Sequence, residues 1–113
     1  LSATIKRGAV VLIVMNGDYG KPRPAVVVQA DALNGRVDSI IVCPMTSKLM
    51  EAPLFRIRIS PDAANGLEKT TEIMADKIIS LHHSRIQQQI GQLDEDIIMQ
   101  LNRSLALVMG LGG

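Results

Sequence analysis

Aromatic side chains are nearly absent from this 113-residue chain, which has one Phe, one Tyr and no Trp. A platform that stacks successive unpaired bases has almost nothing to be built from. The same is true of an aromatic groove for a proline-rich peptide. Cysteine is scarce as well. The lone Cys43 excludes an internal disulfide and a cysteine-based metal site, and its apolar neighbours mark it as a small buried hydrophobe. Neither sign of charge dominates. The formal net charge is +1, and the pI of ≈ 8.1 falls short of the value above about 9 usual for a dedicated nucleic-acid-binding domain. No apolar run approaches the roughly 20 residues of a membrane helix. A phosphate-cradling glycine loop, a His-Glu metal motif and a nucleophile elbow are all missing. His82 and His83 are adjacent, so in a strand they face opposite ways, and they read as a solvated turn. No secretory leader pattern opens the chain, which makes the cytoplasm the expected compartment.

Aliphatic residues are what the chain has in plenty. Hydrophobic residues make up 47%, and the mean hydropathy of +0.22 is high for a small soluble monomer. The excess implies an oligomer interface, a large β-core, or both. The length suits one domain over residues 1–113, with positions 1–6 as a loose N-terminal arm.

Three Asn-Gly pairs, at 16–17, 34–35 and 65–66, suit the positive φ angles of tight hairpin turns. Short runs rich in Val and Ile lie between them. Strands are predicted over 9–15, 25–30 and 39–45, the last two joined through Asn34-Gly35. Residues 54–60 alternate, with Phe55, Ile57 and Ile59 on one face and Arg56 and Arg58 on the other. Residues 70–81 read as one or two further strands with a change of face near Asp76. The period then changes. Ile97, Ile98, Leu101, Leu105 and Val108 follow one helical face, with Asp94 as N-cap and Gly110 as the stop. The expected fold class is mainly β, a small and highly curved barrel of antiparallel strands closed by one C-terminal α-helix.

Two segments are candidates for chemistry. In Gly20-Lys21-Pro22-Arg23-Pro24-Ala25, two prolines bracket one arginine and stiffen the backbone where a strand begins. A guanidinium held in this way suits a phosphate, because its planar fork matches two oxygens and keeps its charge. An edge strand entered through a proline-rich loop would look the same. In Cys43-Pro44-Met45-Thr46-Ser47-Lys48, an apolar strand gives way to two hydroxyls and a charge. A plain strand end would also read like this.

Taken together, a basic loop reaching Arg23-Pro24-Ala25-Val26-Val27 and a strand ending in Pro44-Met45-Thr46-Ser47 resemble the MazF/PemK toxins of type II toxin–antitoxin systems. The opening Lys6-Arg7-Gly8 is similar too. So are Ile90-Gly91-Gln92-Leu93-Asp94 before the helix and Leu107-Val108-Met109-Gly110-Leu111 at its close. The resemblance runs from about Lys6 to Leu111.

The resemblance implies an SH3-like (CcdB/PemK-like) barrel, a homodimer, and a sequence-specific endoribonuclease, or mRNA interferase, acting on single-stranded RNA. It implies no metal and no cofactor. Arg23 matches the family's catalytic arginine and Thr46 its catalytic threonine. RNA supplies its own nucleophile, the 2′-hydroxyl, so the products are a 2′,3′-cyclic phosphate and a 5′-hydroxyl. Ser47, Lys48, Asp76, Lys21, Arg56 and Arg58 are further candidates for catalysis or RNA binding. A cognate antitoxin is implied, laying a partly disordered C-terminal segment over the toxin, with DNA reached only indirectly through it. The chain departs from the family in places. The loop before Arg23 is short and lacks a histidine, Met74 stands where some members carry arginine, and Lys77 where glutamine is common. The general base is therefore left open. The alternative is a CcdB-like toxin that poisons gyrase without nuclease activity, although its Trp-Gly-Ile type of ending is missing here.

Overall fold

A computed structural model of the protein describes residues 5–17 and 19–112. Seven strands and one helix are found among them: β1 (Ala9–Ile13), β2 (Arg23–Val27), β3 (Ser39–Thr46), β4 (Arg56–Ile59), β5 (Thr71–Met74), β6 (Ile79–His82), β7 (Ile86–Gln92) and α1 (Glu95–Met109). Every pairing is antiparallel. The order is β4-β5-β3-β2-β1-β7, with β6 also joined to β3.

The sheet curls about β3. The first half of β3 pairs with β6, from Ser39↔His82 to Val42↔Ile79. Its end pairs with β5, at Met45↔Ile73 and Thr46↔Glu72. Its other edge takes β2, from Val27↔Val42 to Ala25↔Pro44. The mainly β class with one C-terminal helix is the architecture expected above.

Side chains alternate between two cores along the central strands. Val10, Val26, Cys43 and Met45 join Ile57, Ile73, Leu101 and Leu105 in one. Val11, Ile13, Ala25, Val27, Ile40 and Val42 join Ile5 and Ile86 in the other. Both faces of β1, β2 and β3 are thus covered, which is why these strands read as continuous apolar runs. Helix α1 closes the first core. The Asp94 carboxylate accepts the Ile97 N–H at 2.9 Å, and Gly110 ends the helix at φ 72. Leu101 and Leu105 are buried as the periodicity predicts, whereas Val108 lies on the exposed side.

Three local expectations are corrected. Residues 34–35 do not form a two-residue hairpin. Asn34 is extended at φ −64 and ψ 123, Gly35 has φ 85, and the Arg36 N–H bonds the Leu33 carbonyl at 3.0 Å. This is a type II turn following a single 3-10 turn over Asp31–Leu33. Asn65 is buried within a longer loop, where its side chain takes the N–H groups of Asp62 and Leu67 and bonds the Ser60 carbonyl. Strand β7 was not expected at all. Of the N-terminal arm, residues 1–4 lie outside the described residues, and Ile5 is buried in the second core.

Candidate active site

Arg23 opens β2, where its backbone pairs with Ile13 of β1, and Thr46 closes β3. The two strands pair as far as Ala25↔Pro44, so Arg23 and Thr46 each lie two residues beyond the last pair, at the same end of β2 and β3. Two adjoining strand ends of one sheet thus place a guanidinium and a hydroxyl side by side. Prolines at 22 and 24 stiffen the approach on the β2 side.

Both residues line a groove of about 540 Å³, together with Lys21, Pro22, Pro24, Ser47, Glu68, Lys69 and Gln88. The apolar floor includes Leu12, Met45 and Ile90. Three cations, Lys21, Arg23 and Lys69, face one carboxylate, Glu68. The basic character needed for a phosphate is therefore local, which a net charge of +1 conceals. The Thr46 hydroxyl oxygen accepts the Lys48 N–H at 3.1 Å. With its oxygen engaged in this way, the hydroxyl proton is left to donate.

The groove wall opposite the strand ends depends on Gly66. Its φ is +71, and a Cβ there would collide with the Ile90 carbonyl. Only glycine lets the chain turn this close to β7, and that turn carries Leu67, Glu68 and Lys69 into the groove.

The candidates separate into two groups. Arg23, Thr46, Ser47 and Lys21 share the groove. Lys48 contributes its backbone N–H to Thr46. Arg56, Arg58 and Asp76 are not among the groove-lining residues. Arg56 lines a second cavity and is paired with Asp76, Nε to Oδ1 at 2.8 Å and Nη2 to Oδ2 at 3.2 Å. That guanidinium, followed by the cost of burial acting the other way, holds the Asp76 carboxyl below its ordinary range. A carboxylate so stabilised in its charged form is a poor proton acceptor. Arg58 is joined to Glu72 at 2.9 Å. Both arginines are thus engaged with carboxylates.

Sequence reasoning missed Glu68, Lys69 and Gln88. Gln88 reaches the site because β7 pairs with β1 at Leu12↔Gln88. The alternation of Ile86, Gln88 and Ile90 was the available signal, obscured by Gln87 and Gln89.

The fold is thus a small curved barrel whose basic groove holds an arginine and a threonine from two neighbouring strand ends. Comparison with known proteins makes the class specific. A model of the PemK-like, MazF-like toxins of type II toxin–antitoxin systems matches residues 6–109, and the chain belongs to that family. It is 34% identical over 110 residues to the probable endoribonuclease MazF of Mycolicibacterium smegmatis, covering 96% of this chain and 100% of that one. A mycobacterial endoribonuclease in complex with its cognate antitoxin has the same fold, with a TM-score of 0.81 at 19% identity over 97% of this chain and 99% of that one. A MazE–MazF crystal structure from Deinococcus radiodurans gives 0.76 at 26% identity, covering 95% and 97% of the two chains. The gyrase-poisoning alternative is not favoured by these matches.

Proposed function

We propose that this chain is the endoribonuclease of a toxin–antitoxin pair, cutting single-stranded mRNA within the Arg23–Thr46 groove by a metal-independent route. The observation that carries this reading is the shared groove itself. Arg23, Thr46, Ser47 and Lys21, chosen from two separate segments of sequence, line one basic cleft. A nuclease relative at 34% identity over nearly the whole chain supports it.

The proposed chemistry uses the RNA's own nucleophile. The 2′-oxygen attacks phosphorus, the P–O5′ bond breaks, and a 2′,3′-cyclic phosphate and a 5′-hydroxyl result. Arg23 clamps the non-bridging oxygens as charge builds on them, and Thr46 donates to the same phosphate. Ser47 and Lys21 hold the flanking backbone. Glu68 accepts the 2′-hydroxyl proton, being the carboxylate that lines the groove. The departing 5′-oxygen takes up a proton from water. Catalysis on this scheme is alignment plus electrostatics.

The toxin domain works as a homodimer in the cytoplasm, neutralised by a cognate antitoxin whose disordered segment orders on the toxin surface. Exposed Met99, Leu107, Met109 and Leu111 on and beyond α1 offer the apolar area that such contacts need. The complexes known for the mycobacterial and Deinococcus relatives support the antitoxin. Among the described residues no helix is long and apolar enough to cross a membrane.

The test is incubation of the purified protein with a long mRNA in EDTA, followed by mapping of the new 5′ ends. Cuts at a recurring short sequence, lost in folded Arg23→Ala, support the proposal. Intact RNA across varied sequences overturns it.

A further inference from the structure

Glu72 is 1% exposed, the least exposed charged side chain among the described residues. A carboxylate removed from water in this way must be fully partnered. Its Oε1 accepts the Met50 N–H at 2.9 Å. Its Oε2 accepts the Glu51 N–H at 3.4 Å and two bonds from Arg58, at 2.9 and 3.3 Å. These partners come from two directions, the neighbouring strand β4 and the loop that follows Thr46.

Register explains the first and gives Glu72 its importance. Glu72 lies opposite Arg58 on one side and opposite Thr46 on the other. Residues directly opposed in an antiparallel pair share a face. Thr46, Glu72 and Arg58 therefore form one row across three strands.

The loop shows why the carboxylate is needed. Glu51 has φ 59, the left-handed region that a residue with a Cβ avoids. Such a conformation persists only when its surroundings hold it. Here consecutive N–H groups of Met50 and Glu51 turn toward one carboxylate, a small anion-binding concavity occupied by the chain's own Glu72. The loop held in this way begins at Ser47 and Lys48, and the Lys48 N–H is the group that engages the Thr46 hydroxyl.

We infer that Glu72 is a positioning residue for the nuclease: by fastening residues 50–51 it fixes the Thr46–Ser47 end of the groove, on which the aim of the Thr46 hydroxyl depends. The inference rests on the nuclease reading above. Glu72 does not line the groove and acts through the loop it fastens.

The experiment compares wild type, Glu72→Gln, Glu72→Ala and the double variant Glu72→Ala with Glu51→Gly. For each, kcat and KM are measured on RNA, with affinity for the same RNA made uncleavable by a 2′-deoxy nucleotide. Amide exchange is followed at Met50 and Glu51, and at Val26 and Val42 as core references. The expected result for Glu72→Ala is a kcat lower by about tenfold or more, with KM and affinity within about threefold, since misplacement of an aligned group acts on the chemical step. Protection is lost at Met50 and Glu51 and kept at Val26 and Val42. Adding Glu51→Gly removes the left-handed penalty and restores part of kcat without adding any contact. Where Glu72→Ala fails to fold, Glu72→Gln, which keeps the volume and one acceptor oxygen, decides by the same comparison. Active wild type beside variants with unchanged kcat, or with the loss confined to KM, overturns the role of Glu72 alone. Wild type that leaves RNA intact overturns the nuclease reading, and with it the consequence assigned to Glu72.

Discussion

Arg23 and Thr46 line one groove from the ends of two neighbouring strands, Arg23 opening β2 and Thr46 closing β3, which pair from Val27↔Val42 to Ala25↔Pro44. The backbone positions of both are set by the sheet, while the loop after Thr46 engages its hydroxyl through the Lys48 N–H. Ala25, Val26, Val27, Cys43 and Val42 are completely buried just behind. A site mounted on strand ends of this kind is aligned before any substrate arrives, which is where proposed catalysis by alignment has to start.

Arg23→Lys separates charge from geometry. Lysine keeps the positive charge but loses the planar fork that grips two phosphate oxygens. The expected outcome is a loss of about 10²-fold in single-turnover rate, comparable to losing a donor at a developing oxyanion. Binding of uncleavable RNA falls far less, because a charge is still present. Stopped-flow cleavage and fluorescence anisotropy on one RNA check both halves.

Glu68→Gln tests the proposed proton acceptor. Removing a general base costs about 10² to 10⁴ in rate. Glu68 is exposed in the loop before β5, so thermal stability should be unchanged while kcat collapses. A variant that cleaves at the normal rate removes Glu68 from the mechanism.

Asp76→Asn gives the opposite pattern. The Arg56 side chain is 5% exposed and its partner 31%, so the variant leaves a buried guanidinium without its counter-charge. Breaking a buried pair costs about 3–5 kcal/mol, and partial exposure of Asp76 lowers the expectation to about 2–3 kcal/mol. Urea denaturation measures this loss, while kcat per folded molecule stays at the wild-type level.

Acid should destabilise the fold through two identified carboxylates. The Met50 N–H, ahead of the opposing cost of burial, and then Arg58 hold Glu72 below its ordinary range. The Arg56 guanidinium does the same for Asp76. Both are depressed in the folded state, so the unfolded chain binds more protons as pH falls. Their contribution is complete above the unfolded values of about 4 and disappears as pH drops through the lower folded values. The urea midpoint should be flat down to about pH 5 and then decline, less steeply in Asp76→Asn.

Much of this was legible in the sequence because it is local. Asp94 and Gly110 bracket a helical period, and the apolar runs of β1, β2 and β3 reflect burial on both faces. Arg23 and Thr46 stand out as candidates through motif resemblance, and both line the groove. Long-range pairing hid the remainder. Strand β7 carries three consecutive glutamines, and its register on β1 shifts twice, so the every-second-residue spacing of Ile86, Gln88 and Ile90 is masked. The partner of Arg56 lies 20 residues away and becomes visible only once β4 and β5 are paired. Glu68 and Lys69 reach the groove through the left-handed turn at Gly66, packed on Ile90, which no composition rule reveals.

The most direct measurement uses an RNA oligonucleotide carrying the mapped cleavage site, in which one nucleotide, that on the 5′ side of the scissile phosphate, is 2′-deoxy. In EDTA, the wild-type protein should cut the all-RNA version to a 2′,3′-cyclic phosphate and a 5′-hydroxyl, and should leave the substituted one intact while still binding it. Cleavage of the 2′-deoxy oligonucleotide, or a 5′-phosphate on the product, contradicts attack by the RNA's own hydroxyl in the Arg23–Thr46 groove.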